Sequence, residues 1–275
     1  MNVSDIISYI EEHFPLSWAE SWDNAGFLVG DKSQRITKVL TCLDITDEVV
    51  NEAIEKKCEM IVSHHPLIFS GLKRVVASDF SSGIVYKLIK NSISVACYHT
   101  NVDAAIDGTN GEFVSRLCEE LKISYDLSSI HAKKDDEDPR YLGVGGIITL
   151  SEETNLSSLS KCAHKVLRDA GSVDVIRCAG APETPIKKIA ICTGSGFSVV
   201  SKVVAGVDCV ITGDSKYHET QTLLKRGACL CDCGHHGTEI MFREMMASFL
   251  KKKFASLEIL PSSSEDSVFW SEMDK

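Results

Sequence analysis

Short apolar strands alternate with amphipathic helices in the first part of the chain. Val39 to Leu43, Met60 to Val62 and Ile93 to Tyr98 have the pattern of buried strands, and helices are predicted after Thr46 and from Phe80 to Lys90. A strand, a helix and a second strand in succession favour parallel pairing with a right-handed crossover. The sequence therefore predicts an α/β fold built on a parallel sheet.

The second part of the chain shows a similar alternation after a charged stretch. Residues 131–140 carry many charges and little apolar content, so they are the best candidate for a linker. Further strands are predicted at Gly143 to Leu150, Val173 to Cys178, Lys188 to Cys192, Asp208 to Thr212 and Ala228 to Asp232, and helices at Leu156 to Ala170, Val199 to Ala205 and His235 to about Lys253. In each part, three successive strands end in polar residues. We interpret this as two related α/β domains with a cleft between them.

Composition and charge exclude several classes of protein. The 275 residues are 44% apolar and 25% charged, as in a globular protein, and no apolar run is long enough for a membrane span. Eleven cysteines without an export signal predict reduced thiols in a cytoplasmic protein. The net charge of −10 argues against a general nucleic-acid surface.

Two adjacent histidines lie at the end of one predicted strand. Met60 to Val62 is followed by Ser63, His64, His65 and Pro66, and the proline takes the chain out of the strand. Open α/β sheets bind ligands at the carboxyl ends of their strands. Neighbouring side chains of a strand point in opposite directions, so His64 and His65 would each reach a different metal ion of a pair. The alternative is two histidines in a surface turn.

Three further residues complete a possible ligand set. His235 and Glu239 are four residues apart and share one helix face, and Asp103 follows a strand end among small residues. Three imidazoles and two carboxylates suit zinc, iron, manganese or cobalt, and five ligands suit two divalent ions with a bridging carboxylate. The alternatives are a surface helix with an incidental histidine and an Asx turn at Asp103.

Other residues have a functional and a structural interpretation. His99 and His218 are candidates for acid–base groups near the metals or for hydrogen-bonded structural histidines. The turn Gly194, Ser195 and Gly196 precedes a helix and is either an anion-binding nest or an ordinary glycine turn. Alternating cysteines on one predicted strand are interpreted as buried thiols, with metal binding as the alternative: Cys229, Cys231 and Cys233.

Five motifs together resemble one known family. They are Trp22-Asp23-Asn24-Ala25-Gly26, Ser63-His64-His65-Pro66-Leu67, His99-Thr100-Asn101-Val102-Asp103-Ala104-Ala105, Gly213-Asp214 with Tyr217-His218, and Gly234-His235-His236-Gly237-Thr238-Glu239. This combination resembles the NGG-interacting-factor-three family, whose bacterial members are often labelled GTP cyclohydrolase I type 2 homologues. The resemblance implies two related α/β domains, a dinuclear metal site in the cleft and a toroidal homohexamer. It also implies Glu239 as the bridging ligand beside His64, His65, Asp103 and His235.

The sequence thus predicts a metal-dependent hydrolase of a nucleotide-like or phosphorylated small molecule, with Glu239, His99 and His218 as catalytic residues. The alternative is a non-catalytic metal-handling protein or a docking scaffold that uses the same site. Residues 1–126 with 226–275 would form a discontinuous metal-ligand domain. Residues 127–225 would form a second domain that walls the cleft, with the Gly194–Gly196 turn facing an anionic substrate.

Overall fold

The described part of the chain forms two compact units. The computed structural model describes residues 1–130, 138–265 and 268. The first unit comprises residues 1–102 and 242–265, and the second begins at Asp103 and ends at Met241. The expected linker at 131–140 lies mostly outside the described residues. Among the helices of these residues, none has the length and apolar character needed to cross a membrane.

Helices and strands are numbered in chain order. The helices are α1 (Val3–His13), α2 (Asp47–Glu55), α3 (Phe80–Lys90), α4 (Thr100–Asp103), α5 (Thr109–Leu121), α6 (Leu156–Asp169), α7 (Phe197–Val200), α8 (Tyr217–Lys225), α9 (His235–Glu239) and α10 (Phe242–Lys253). The strands are β1 (Gly26–Val29), β2 (Lys38–Cys42), β3 (Met60–Ser63), β4 (Ser94–Cys97), β5 (Tyr125–Ser129), β6 (Gly146–Asn155), β7 (Arg177–Ala179), β8 (Pro185–Ile191), β9 (Cys209–Thr212), β10 (Cys229–Asp232) and β11 (Glu258–Pro261).

The first unit is built on a five-stranded sheet in the order β1-β4-β3-β2-β11. β2, β3 and β4 pair in parallel, which confirms the prediction from the strand–helix–strand alternation. Thr46 begins α2 as expected, because its hydroxyl accepts the amide N–H of Val49 at 3.2 Å. Leu40, Val50 and Ile61 belong to the apolar core of this unit. Parallel pairing brings the carboxyl ends of these strands to one edge of the sheet.

The second unit is built on a six-stranded sheet in the order β5-β6-β8-β9-β10-β7. β8, β9 and β10 are parallel, and β5, β6 and β7 run antiparallel to their neighbours. This pairing explains why the unit boundaries differ from those expected near residues 126 and 226. β5 belongs to the second unit because it pairs with β6, and β10 belongs there because it lies between β9 and β7.

The two sheets repeat one strand order. In the first unit, an antiparallel strand is followed in the chain by three parallel strands and lies beside the last of them, giving β1-β4-β3-β2. In the second unit, β7 precedes β8, β9 and β10 and lies beside β10, giving β7-β10-β9-β8. The three parallel strands in each sheet are those whose polar ends suggested related halves. Each unit therefore contains the same four-stranded motif.

Three elements differ from the sequence predictions. The long helix from His235 is two helices, α9 and α10, separated by a turn at Ile240 and Met241, where the chain passes from the second unit to the first. The strand expected at Val173 to Cys178 is only β7, and Asp174 lies before it and accepts the amide of Gly237 in α9 at 2.6 Å. The helix expected at 199–205 is the single turn α7, and the valines beyond it reach the core from turns.

Two buried carboxylates hold the end of the first unit in place. Glu52 accepts the Ser262 hydroxyl at 2.6 Å and the Ser263 amide at 3.0 Å, and it pairs with Lys56. Burial opposes ionisation of Glu52, but these contacts lower the pKa of its carboxyl to about 2. Glu265 accepts the amides of Leu43 and Asp44 at 2.7 and 2.6 Å. The segment after β11 is therefore fastened both to α2 and to the end of β2.

Glu265 is expected to make the metal-free protein less stable as the pH rises. Burial raises the pKa of its carboxyl from 4.5 to about 7, although the two amides act in the opposite direction. The folded state then binds more protons than the unfolded state between these values, so stability is lost as pH rises towards 7. The loss is on the order of 3 kcal/mol.

Glu265→Gln keeps a carbonyl acceptor for the two amides and removes the titration. Urea unfolding at pH 5 and at pH 8 gives the free energy of unfolding at each pH. The difference between the two values should be smaller for this variant than for the wild-type protein. Glu153→Gln, at an exposed position of β6, is the control. If the free energy of unfolding changed equally between the two pH values in Glu265→Gln and in the wild-type protein, the pH dependence would not come from Glu265.

Candidate metal centre

Three histidines of the first unit converge at the carboxyl edge of its sheet. His64 and His65 follow β3, and His99 follows the neighbouring strand β4. Their ligand nitrogens lie within 4.8 Å of one another. His64 is fully buried and its ring packs on Phe242 with centroids 4.9 Å apart. The strand-end position predicted for the histidine pair is confirmed, and His99 joins the pair.

All three imidazoles are held through the same nitrogen. Nδ1 of His64 lies 2.9 Å from the carbonyl oxygen of Tyr98, Nδ1 of His65 lies 2.8 Å from Asp44 Oδ1, and Nδ1 of His99 lies 3.0 Å from Asp23 Oδ1. A carbonyl or carboxylate oxygen can only accept, so each Nδ1 carries the proton. In the neutral ring, Nε2 then holds the lone pair. This is the tautomer that binds a metal through Nε2.

Asp23 is the most strongly held of these oxygen partners. Its side chain is fully buried, and it accepts the Thr100 amide at 3.0 Å and the Thr100 hydroxyl at 2.5 Å besides His99. Burial opposes its ionisation, yet the hydrogen bonds from His99 and Thr100 keep the pKa of the Asp23 carboxyl well below its usual value. Asp23 therefore stays a carboxylate and fixes the His99 ring.

The second unit brings two buried carboxylates and one imidazole close together. Asp103 ends α4 and is hydrogen-bonded to the Thr109 hydroxyl. Glu239 ends α9, and its Oε2 lies 3.1 Å from Nε2 of His235, one helical turn earlier. Asp103 and Glu239 offer carboxylate oxygens within 4.8 Å of each other. Glu239 thus lies close to both of the other residues.

This arrangement fits a bound cation on chemical grounds. Nδ1 of His235 lies 2.8 Å from Asp214 Oδ2, so the neutral ring turns the lone pair of Nε2 towards the Glu239 carboxylate. Two acceptors at this distance repel each other unless a proton or a metal ion lies between them. The same holds for Asp103 and Glu239, which are 6% and 3% exposed. Imidazole and carboxylate donors suit zinc, iron, manganese and cobalt.

Gly194 makes room for the Glu239 carboxylate. A Cβ atom at Gly194 would lie 2.1 Å from Glu239 Oε1 and 3.2 Å from Nε2 of His235, and the residue has a φ of +62°. Its amide donates to the Thr238 hydroxyl at 2.9 Å, which ties the turn to α9. The Glu239 carboxylate can therefore occupy this position only because residue 194 has no side chain.

Gly194→Ala is expected to displace the Glu239 carboxylate and to lower metal affinity at least about tenfold. Isothermal titration with Zn²⁺ or Mn²⁺ measures this affinity. Gly227→Ala is a matched control, because Gly227 also has a positive φ, of +89°, but nothing lies within 4 Å of an added Cβ. Equal losses in the two variants would show that backbone strain, not crowding of Glu239, is responsible.

The remaining predicted site residues of the second unit are those of the Gly194–Gly196 turn and His218. The amide of Gly196 donates to the Thr212 hydroxyl at 3.0 Å, so two amides of the proposed anion nest already have acceptors within the unit. Ser195 is the exposed residue of that turn. His218 lies on α8, with Nδ1 3.1 Å from Gln221 Oε1, and lines a groove of about 350 Å³ with Phe197 and Arg226. Anion binding by the turn and catalysis by His218 stay predictions.

Sequence reasoning missed the carboxylates that orient the histidines. Asp44 follows β2 and holds His65 after β3, and Asp214 follows β9 and holds His235 after β10. In both pairs the aspartate precedes the histidine by 21 residues. This repeated spacing, across one strand–helix–strand unit in each half, was the signal that could have identified them.

The sequence also provided no indication of two exposed aromatic rings in the first unit. Trp22 and Phe69 are 57% and 56% exposed, with ring centroids 6.0 Å apart. The Trp22 ring also meets the edge of His99 at 6.0 Å. The two rings are tilted by 47° and offer an exposed apolar surface to a ligand beside the histidine cluster.

Comparison with known proteins decides the relationship of the chain. The profile of the Duf34/NIF3 (NGG1p interacting factor 3) family matches residues 1–267. The chain belongs to the DUF34/NIF3 family. It is 33% identical over 240 residues to a Clostridium acetobutylicum protein named GTP cyclohydrolase 1 type 2 homolog, covering 87% of this chain and 85% of that one.

Two further similarities agree with this result. The chain is 31% identical over 262 residues to NGG1-interacting factor 3 of Saccharomyces cerevisiae, covering 90% of this chain and 89% of that one. A crystal structure of the Staphylococcus aureus hypothetical protein SA1388 matches with a TM-score of 0.86 and 29% identity, over 98% of this chain and 99% of that one. The sequence-based assignment to this family, and to a mixed α/β fold with two sheets, is confirmed.

Proposed function

We propose that this DUF34/NIF3 protein is a dinuclear metal-dependent hydrolase of a nucleotide-like or phosphorylated small molecule. The metal ligands are His64, His65, Asp103, His235 and Glu239, with Glu239 as the bridge. The observation that carries the proposal is the common orientation of the imidazoles: in each, Nδ1–H is bound to an oxygen and Nε2 holds the lone pair. A histidine that binds a metal through Nε2 usually donates its other ring N–H to an oxygen in this way.

The ligands that we assign to the second unit lie close in sequence to residues of the first unit. Asp103 follows His99 by four residues, through α4, and a helix of that length spans only about 6 Å. Glu239 precedes Phe242 by three residues, and the Phe242 ring packs on His64. The ligands that we assign to the second unit therefore lie next in sequence to the places where the chain enters and leaves it.

The chain's own residues supply binding and proton transfer around the metals. Two divalent ions, when bound, polarise the bond under attack and lower the pKa of water. His99, held by Asp23 with its proton on Nδ1, can accept a proton at Nε2 and return it to a leaving group. The ring of Trp22 or that of Phe69 can stack on a planar base, which favours a nucleotide-like substrate over an aliphatic phosphoester.

The test is turnover by the full chain loaded with defined metals. Zn²⁺, Mn²⁺, Fe²⁺ and Co²⁺ proteins would be assayed against nucleotides, phosphoesters and cyclic amides. We expect metal-dependent turnover that falls at least about a hundredfold in Glu239→Gln with circular dichroism unchanged. Glu153→Gln changes the same charge at an exposed position and should keep full activity. Metal binding without turnover across the panel would favour metal handling or a docking scaffold.

Ser195→Asp is expected to weaken binding of phosphate-bearing ligands and to leave the metal content unchanged. The new carboxylate would oppose an anion at the Gly194–Gly196 turn, whereas the Ser195 side chain is exposed and is no metal ligand. Ser195→Asn is the neutral control of similar size. Phosphate affinity and metal content would be measured for the wild-type protein, Ser195→Asp and Ser195→Asn, by titration with inorganic phosphate and by elemental analysis. Loss of metal, or unchanged phosphate binding, would refute this role for the turn.

A further inference from the structure

Four cysteines lie in adjacent positions on the second unit's sheet. Cys229 and Cys231 are two residues apart on β10, Cys209 is the register partner of Cys229 on β9, and Cys178 is the partner of Cys231 on β7. Residues opposite each other in register project from the same face of a sheet. A fifth sulfur, of Cys233, lies 3.6 Å from that of Cys231. The proposed hydrolase uses none of these thiols.

Cys178 and Cys231 have the geometry of a disulfide pair. Opposed residues of antiparallel strands have Cα atoms about 4.5 or 5.5 Å apart, and both values fall within the range of about 4.4–6.8 Å found for disulfides. The Cys178 thiol is hydrogen-bonded to the Cys231 thiol. Residues two apart on one strand are separated by about 6.6–6.8 Å, at the limit of that range, which disfavours Cys231 with Cys233.

The two thiols differ in exposure. Cys178 is exposed on the edge strand β7 and lines an open groove of about 190 Å³ with Arg177 and Tyr217. Cys231 is fully buried in β10. A small oxidant in solution therefore meets Cys178 first, and Cys231 is placed to react with the oxidised sulfur.

We propose that Cys178 and Cys231 form an oxidation site that closes to a cross-strand disulfide in the presence of a hydroperoxide. The Cys178 thiolate attacks the peroxide, so that an S–O bond forms, the O–O bond breaks and the distal oxygen leaves as water or alcohol. The Cys231 sulfur then attacks the sulfenic sulfur, the S–S bond forms and the hydroxyl group leaves as water. In total the two thiols lose two electrons and two protons, and one peroxide is reduced.

The surroundings of Cys178 and Cys231 determine the rate of oxidation and the structural effect of the disulfide. The hydrogen bond with Cys231, together with burial, raises the pKa of the Cys178 thiol, so oxidation is slow at neutral pH and faster at higher pH. The new bond would tie the edge strand β7 to β10. β10 runs directly into Gly234 and His235, so the crosslink lies four residues from a proposed metal ligand.

The experiment is a peptide map of the oxidised full chain. The protein would be treated with hydrogen peroxide at pH about 8.5, blocked with N-ethylmaleimide and digested with trypsin without reductant. We expect the peptide 178–187 joined to the peptide 227–243, with the loss of two hydrogens, and released by dithiothreitol. A folded protein in which Cys178 becomes sulfinic or sulfonic acid while no linked peptide forms would overturn the proposal.

Variants identify the partner, because the peptide 227–243 carries three cysteines. Cys178→Ala and Cys231→Ala should abolish the linked peptide, whereas Cys229→Ala and the half-buried control Cys162→Ala should retain it. A linked peptide of undiminished yield in Cys231→Ala would refute the assignment. If Cys231→Ala does not fold, fragment-ion sequencing of the wild-type linked peptide distinguishes Cys231 from Cys229 and Cys233.

Discussion

Protein loaded with an excess of a divalent metal and then desalted is expected to retain two equivalents of metal per chain. The reason is the number of ligands that we assign, three imidazoles and two carboxylates, which exceeds what one catalytic zinc ion normally takes. Elemental analysis by mass spectrometry gives the count. His64→Ala and His65→Ala should each lower it towards one, and Glu239→Ala, which removes the bridge, should lower it further.

Two outcomes would contradict this expectation. A ceiling of one equivalent that neither His64→Ala nor His65→Ala changes would exclude the dinuclear site. Retention of both metals by Glu239→Ala would exclude the bridging role. Affinity should also fall as the pH drops through about 6, since an imidazole must be neutral to coordinate. His164→Ala, at a histidine of α6 that we do not assign to the site, is the control.

Replacement of the carboxylates that hold the histidines is expected to lower metal affinity by about 10- to 100-fold. Asp44→Asn and Asp214→Asn keep the size of the side chain but remove the charge that fixes the Nδ1–H tautomer of His65 and His235. Competition with a fluorescent chelator measures the affinity. Each variant should retain its fold, because both aspartates are largely exposed, with side-chain accessibilities of 52% and 49%.

The matched control for these variants is Asp126→Asn, at an exposed position of β5. It makes the same change of charge away from every histidine that we assign. An equal loss of metal affinity in Asp126→Asn would show that the change in net charge is responsible. No loss in either Asp44→Asn or Asp214→Asn would mean that the hydrogen bonds to Nδ1 do not support the ligands.

The sequence predicted those features that local patterns encode. The apolar run of β3 and the proline after it located His64 and His65 at a strand end, and Thr46 was identified as a helix cap. The partner of each histidine could not be found in this way. Asp44 reaches His65 because β2 and β3 are neighbours in the sheet, and pairing between strands depends on packing that no single segment specifies.

The same limit explains the errors. Periodicity extended the helix from His235 through Phe242, because the apolar spacing continues across the turn at Ile240 and Met241. The unit boundaries were misplaced because β5 and β10 join the second sheet through hydrogen bonds to distant strands. The close approach of Gly194 to Glu239 could not be foreseen, because it joins residues 45 positions apart in sequence.

The pairing of β11 with β2 has a consequence for synthesis of the chain. β11 is the last of the described strands to leave the ribosome, yet it covers one edge of the sheet formed by the earliest strands. Until then the outer side of β2 exposes its backbone N–H and C=O groups, which is the kind of edge that pairs with other chains. The amino-terminal half of a nascent chain is therefore vulnerable to misassembly, and removal of residues 254–275 should yield aggregates.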